Sequence, residues 1–229
     1  EILPLLNWRI IQENPKPLIG FSDITVLVNA IYAKTGVPGF LGPNFSTFGR
    51  IPEWQYTLDN FESVMQGSSQ RLAKSRRWGE RGRKRYKTKS WRRLEVGKAN
   101  ATLLGGNLGT FYLLQGTEYQ PKFDEPFIFL LEDDDEASNY TAREVSRRFE
   151  SLLQLPNFRD NLQGLIVGRF QKGSNVSEKD IASILMSKDL GRIPVVYNVD
   201  FGHTLPILTL PIGRKVSLTV DDRVDILLS

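Results

Sequence analysis

The chain has 229 residues, a hydrophobic fraction of 40%, a charged fraction of 24% and a net charge of +4, the proportions of a globular protein with one large domain or two small ones. It contains no cysteine, which excludes disulfides, thiol nucleophiles and zinc–thiolate sites, and no apolar run approaches the roughly 20 residues of a membrane-spanning helix. The charge is unevenly placed: 13 Lys and Arg residues but only two acids, Glu80 and Glu95, lie between Arg71 and Lys98, leaving 17 basic against 24 acidic residues elsewhere, net −7.

Residues 1–15 carry Ile2, Leu3, Leu5, Leu6, Trp8, Ile10 and Ile11 and predict a short apolar helix or helix-turn ending at Asn14-Pro15. Leu18 and Ile19 read as the end of a buried strand, and Gly20 permits a tight turn. Val26, Leu27, Ala30 and Ile31 then recur at helical spacing up to a C-cap at Gly36. Ser22 therefore stands where a strand turns sharply into a helix. That is the geometry of a nucleophile elbow, which exposes the hydroxyl and aims the following backbone N–H groups at a developing oxyanion. The hydrolase form of the motif is Gly-x-Ser-x-Gly; here Ile24 holds the last position, so the match is partial. The ordinary alternative is that Ser22 is an N-cap, with Asp23 in the first helical turn. Val37–Leu41 reads as a second strand and Gly42-Pro43-Asn44 as a turn, completing a βαβ unit and implying a parallel sheet. Leu58–Met65 predicts a short amphipathic helix.

Residues 67–98 break this pattern. Trp78, Tyr86 and Trp91 are interleaved with the basic residues and no period is sustained. Three readings are open: a solvated linker, a nucleic-acid-binding segment, or a loop closing over a charged small substrate. A second α/β unit follows, with a strand at Ala101–Leu104, the sequence Gly105-Gly106-Asn107, and a helix through Phe111 and Leu114 to Gly116. Glycines opening a helix can cradle an anion on free N–H groups, and close strand–helix packing would explain them equally well. Phe127–Leu131 is the most apolar run and predicts a buried central strand, followed at once by Glu132-Asp133-Asp134-Asp135-Glu136. A helix is expected over residues 141–155, strands over 162–168 and 194–199, a helix over 180–186, and two paired antiparallel strands around Asp221-Asp222.

His203 is the only histidine. An imidazole base for Ser22 must therefore be His203, in the loop after the 194–199 strand, where open α/β sheets place site residues. Its second nitrogen needs a carboxylate to fix tautomer and orientation, for which Glu132 with its acidic neighbours and Asp200 are candidates. The acidic run could otherwise be a solvated edge or a divalent-cation site, although it lacks the spaced pattern of a calcium loop.

Three stretches together resemble the LD-carboxypeptidase and microcin C self-immunity serine peptidases: KPLIGFSDITVL at 16–27, LGGNLGTFYLLQGTEYQP at 104–121 with FLLED at 129–133, and DFGHTLPILTLPIG at 200–213. The resemblance implies a Ser22, Glu132 and His203 triad, with Ser22 within hydrogen-bond reach of His203. The Asp23 backbone amide would be one oxyanion donor, and a glycine-rich segment upstream of Glu1 would supply the other. The fold it implies is α/β in two lobes. The first, 1–66, is a parallel-sheet lobe carrying the nucleophile and expected to lack an N-terminal portion; 67–98 is a basic loop or linker. The second, 99–229, is an α/β lobe carrying Glu132 and His203 and ending in antiparallel strands. Gly105, Gly106, Asn107, Trp78 and Trp91 are expected to meet substrate, with one tryptophan stacking on a nucleotide base as in the microcin-immunity branch. The implied protein is a cytoplasmic homodimer without cofactor or metal, acting on a murein peptide or a peptidyl-nucleotide. A nucleic-acid-binding protein using 71–98, or a family member without activity, are the alternatives.

Overall fold

The computed structural model describes residues 1–48, 54–80, 86–87 and 91–228. Arg81, Arg83, Lys84, Arg85 and Lys89 of the basic segment lie outside the described residues.

The first part of the chain runs through helix α1 (Trp8–Glu13), strand β1 (Ile19–Gly20), helix α2 (Ile24–Thr35), strand β2 (Gly39–Leu41) and helix α3 (Trp54–Met65). Asn7 caps α1, its side chain accepting from the Ile10 N–H at 3.1 Å, and Gly36 ends α2 in the left-handed conformation at φ 73°. β1 and β2 pair in parallel across α2, the βαβ unit expected from the apolar spacing.

The segment expected as a loop or linker holds four short strands, β3 (Gln70–Arg71), β4 (Arg77–Trp78), β5 (Tyr86–Lys87) and β6 (Arg92–Glu95). β4 and β5 form a two-stranded ribbon. β3 and β6 are the two edge strands of the main sheet. The segment is thus tied into the fold at both ends. Its charged residues suit edge strands, where one row of backbone groups faces outward and charge discourages further pairing.

The rest of the chain comprises β7 (Gly97–Asn107), α4 (Leu108–Tyr112), β8 (Phe127–Glu132), α5 (Thr141–Leu153), α6 (Phe158–Asn161), β9 (Leu162–Gly168), α7 (Glu178–Met186), β10 (Val195–Val199), β11 (Leu210–Ile212), β12 (Lys215–Val220) and β13 (Val224–Leu228). The main sheet has the order β3-β13-β12-β7-β8-β9-β10-β6. β7, β8, β9 and β10 run parallel, and β12 and β13 form the expected antiparallel pair. The molecule is a mixed α/β fold around a parallel sheet. β11, from the far end of the chain, joins β2 antiparallel in the small sheet, so the two lobes share strands and the division at residue 66 is not a clean boundary.

β8 is buried at every position, as its unbroken apolar run requires of a central parallel strand. Phe127 and Phe129 pack edge-on against Phe158 at centroid distances of 4.9 and 5.3 Å. Burial of each such ring stabilises the fold by roughly 1.5–3 kcal/mol, which fixes the strand that delivers Glu132 to the sheet's edge. The helix after Gly105-Gly106-Asn107 begins at Leu108, where the sequence places it, and it is the strand before it that runs further than expected. β7 continues through Asn107, and both glycines are strand residues. A Cβ at Gly106 would stand 2.6 Å from Leu41 Cδ1 and 2.8 Å from Thr25 Oγ1, so close packing of α2 and β2 on β7 accounts for it.

Candidate active site

Ser22 stands in the turn between β1 and α2. Ser22 adopts φ 59°, the left-handed region that a non-glycine residue occupies at a cost and that the elbow demands. It is not the N-cap of α2, which is Asp23, and the Asp23 side chain makes no cap bond. The Ser22 carbonyl accepts from the Thr25 N–H at 2.9 Å and the Thr110 hydroxyl at 3.2 Å, which locks the turn against α4. The Asp23 N–H donates no hydrogen bond among the described residues, leaving it available to an oxyanion.

Glu132 ends β8 opposite Asn107 at the end of β7. Both are buried, at the carboxyl edge of the parallel strands, where such sheets place their sites. Glu132 Oε2 accepts from His203 Nδ1 at 2.9 Å. The Gly202 backbone, at φ 94°, lies directly against that carboxylate, and a Cβ there would collide with Glu132 Oε2. Only glycine lets the loop press the imidazole onto Glu132. Burial pulls the His203 pKa down, but the adjacent Glu132 charge and hydrogen bond, with Asp134 and Asp133 behind, outweigh it and raise the pKa to about 9.

No hydrogen bond joins Ser22 to His203 among the described residues. Their segments nevertheless meet. Phe21, the residue before the serine, packs edge-on against the His203 ring at 5.2 Å. A nucleophile–base contact that closes only around substrate is usual. A cavity of about 10 Å³ beside them is lined by Phe21, Thr25, Gly106, Asn107, Glu132 and Gly202, among others, though by neither Ser22 nor His203.

The acidic run does not act as one cluster. Asp133 takes Arg148 Nη1 at 3.3 Å and Asn107 Nδ2 at 3.4 Å, and Asp134 Oδ1 accepts from the Glu136 N–H at 2.9 Å. The carboxylates diverge, which removes the basis for reading them as a cation site. Burial, with Glu132 and Asp134 nearby, pushes Asp133 up to about 6 against the pull of Arg148. Asp200, the other candidate partner for His203, faces away. It accepts from Ser75 Oγ at 2.6 Å, the Ser75 N–H at 3.0 Å and Trp91 Nε1 at 2.9 Å, and pairs with Arg169 at 2.7 Å.

That hub corrects the expectation for Trp91. Its ring is 8% exposed and its N–H is committed to Asp200, so it supports the fold and does not face substrate. Gly105 is likewise interior: its N–H and carbonyl bond the Asn29 side chain, and a Cβ would strike the Leu130 carbonyl. Gly106 and Asn107 do line the small cavity. Trp78, 9% exposed, packs on Tyr86 at 4.8 Å, with the Arg169 guanidinium 5.2 Å from its ring centre. The β4–β5 ribbon is bound to the loop after His203 by paired backbone hydrogen bonds between Gly79 and Leu205 of 2.8 and 2.9 Å. Phe21 and Arg169 have no sequence signal of their own beyond a position just after a strand.

Comparison with known proteins places the chain in a family. The LD-carboxypeptidase N-terminal domain profile matches residues 1–42 and the LD-carboxypeptidase C-terminal domain profile matches 100–218. The carboxypeptidase-named protein YocD of Bacillus subtilis (strain 168) is 39% identical over 93% of this chain and 67% of its own length; the chain spans about two thirds of the length of its curated relatives. The solved MccF-like protein from Bacillus anthracis (strain Ames) superposes with a TM-score of 0.94 at 35% identity, over 99% of this chain and 71% of that one. MccF in complex with glutamyl sulfamoyl guanosine superposes with a TM-score of 0.82 at 29% identity, over 100% of this chain and 71% of that one. The chain belongs to the LD-carboxypeptidase family.

Proposed function

We propose that the chain carries the nucleophile, base and orienting carboxylate of a serine peptidase. Ser22 Oγ attacks an amide carbonyl while His203 takes its proton. The C–N bond breaks as the imidazolium returns that proton to the leaving amine. Water, activated by the same imidazole, then releases the acyl group as a free acid. Glu132 holds the ring in the tautomer that accepts the proton, and the Asp23 N–H stabilises the oxyanion. The observation that carries the reading is the Glu132–His203 contact of 2.9 Å beside a serine held in a left-handed turn.

For the substrate we favour an aminoacyl-nucleotide amide, supported by likeness to a solved MccF that holds glutamyl sulfamoyl guanosine; a murein L,D-amide is the competitor. We also propose a cytoplasmic homodimer, which rests on the sequence resemblance alone. The test measures amino acid released from an aminoacyl-nucleotide amide and from a murein tetrapeptide, by protein with Ser22 intact and by Ser22→Ala. Release from the nucleotide substrate should be the faster, and Ser22→Ala should abolish both. Undiminished hydrolysis by Ser22→Ala overturns the mechanism, and faster murein cleavage overturns the substrate choice.

A further inference from the structure

The face of α2 turned to β7 makes polar contacts that no step of the hydrolysis uses. β12 accompanies β7 as far as Leu103, whose N–H donates to the Arg214 carbonyl and whose carbonyl accepts from the Gly213 N–H, both at 2.9 Å. Backbone polar groups alternate sides along a strand, so Gly105 and Asn107 turn theirs to that same side after β12 has ended. Buried groups of this kind need partners, and α2 supplies them. Asn29, 0% exposed, takes the place of a strand. Its Oδ1 accepts from the Gly105 N–H at 3.0 Å and its Nδ2 donates to the Gly105 carbonyl at 2.9 Å. One helical turn earlier Thr25, equally buried, accepts from the Asn107 N–H at 3.1 Å through Oγ1. Gly106, between these two contacts, has no side chain to hold the helix off.

These bonds join the two halves of the site. The Thr25 N–H also donates to the Ser22 carbonyl at 2.9 Å, so one residue is bonded both to the elbow and to Asn107. Asn107 stands opposite Glu132 in the register of β7 and β8, and Glu132 holds His203. The same strand end meets the elbow a second time. Thr110 Oγ1 lies 3.2 Å from the carbonyls of both Ser22 and Asn107, and the Thr110 N–H donates to Asn107 Oδ1 at 2.9 Å.

We propose that Thr25 is a positioning residue for the hydrolysis: its side-chain bond to Asn107 holds Ser22 at the distance from His203 at which the proton is transferred, and Asn29 keeps the helix in register behind it. The proposal rests on the serine-peptidase reading. A hydroxyl that served the fold alone would set stability only. A positioning one also sets the rate, since a misplacement of about 1 Å costs on the order of 100-fold.

Diisopropyl fluorophosphate tests this without reference to the natural substrate, because Ser22 Oγ displaces fluoride at phosphorus as His203 takes the hydroxyl proton. The labelling rate per native molecule is measured from about pH 6 to 10, with Ser22→Ala as the blank. Thr25→Val keeps the shape of the side chain and removes the acceptor. It should label about tenfold to a hundredfold more slowly, with the rising limb still near pH 9 because the Glu132–His203 pair is untouched. Thr25→Ser restores the acceptor and should recover a rate within about threefold of the parent. Asn29→Leu removes both bonds to Gly105 and should label at least as slowly as Thr25→Val; the two Thr25 variants stay informative if Asn29→Leu fails to fold. Parental labelling by native Thr25→Val, a Thr25→Ser protein as slow as Thr25→Val, or a displaced limb in Thr25→Val overturns the proposal while the peptidase reading stands. A parent protein that takes no label at Ser22 overturns both.

Discussion

His203 lies between opposed influences, and the balance sets how the site should respond to pH. Desolvation favours the neutral ring, yet Glu132 and the acids beyond it raise the pKa to about 9. A general base must be neutral to accept a proton. The kcat/KM profile is therefore expected to climb with pH through the range above neutrality, levelling near 9. In Glu132→Gln the orienting charge is gone and the tautomer is no longer enforced. The plateau rate should fall on the order of 10³–10⁴-fold, while the rising limb moves to lower pH. A Glu132→Gln profile with an unmoved limb would assign the raised pKa to another group. Gly202→Ala attacks the same pair through the backbone. At φ 94° and directly against the carboxylate, the added methyl must displace either the loop or Glu132, so activity should drop as steeply while Glu132 and His203 are both still present. A fully active Gly202→Ala protein would mean that the loop has slack the structure does not reveal.

The elements around the site differ in how far sequence exposes them. Ser22 could be placed because Gly20 and the apolar spacing of Val26, Leu27 and Ala30 mark a strand–turn–helix within one short stretch. For Glu132 the buried run marks a strand end, but its acidic neighbours and Asp200 remain equal candidates, and only the family resemblance singles it out. The segment 67–98 could not be read this way. Its strands are two to four residues long and charged, and β3 and β6 pair with β13 and β10, more than a hundred residues onward. Local periodicity carries no trace of such partners. The same gap hid the role of Trp91, whose acceptor Asp200 lies 109 positions away. Trp91→Phe keeps most of the ring but leaves Asp200 without one donor and should cost roughly 1–3 kcal/mol of stability. Because that change acts on the fold, denaturant midpoints should fall while KM for nucleotide-bearing and murein substrates changes equally. A rise in KM confined to the nucleotide substrate would return Trp91 to the binding surface.

Across the whole molecule, the carboxyl edge of the parallel strands gathers Asn107, Glu132 and, after a short loop, His203 at one end of the main sheet, and β11 ties the small sheet that carries Ser22 to the same end. Gathering acids and a histidine there has a consequence for stability. The His203 pKa is higher in the fold than the 6.5 of the free side chain. Its contribution is fully present below pH 6.5 and is lost as pH rises toward 9. Asp133 is raised from 3.8 to about 6, so its contribution is present below 3.8 and is likewise lost as pH rises through 6. Both therefore act in the same direction, the reverse of a carboxylate held in an ion pair. Each is worth on the order of 3 kcal/mol at most. Urea midpoints taken at pH 5, 7 and 9 and constant salt should show a decline that Asp133→Asn reduces between 5 and 7, and that Glu132→Gln reduces between 7 and 9. The separation of windows is the informative part, since a general alkaline loss from the many surface lysines would touch both variants alike. Parallel curves for the parent and both variants would remove the electrostatic account of the site, even with its geometry unchanged.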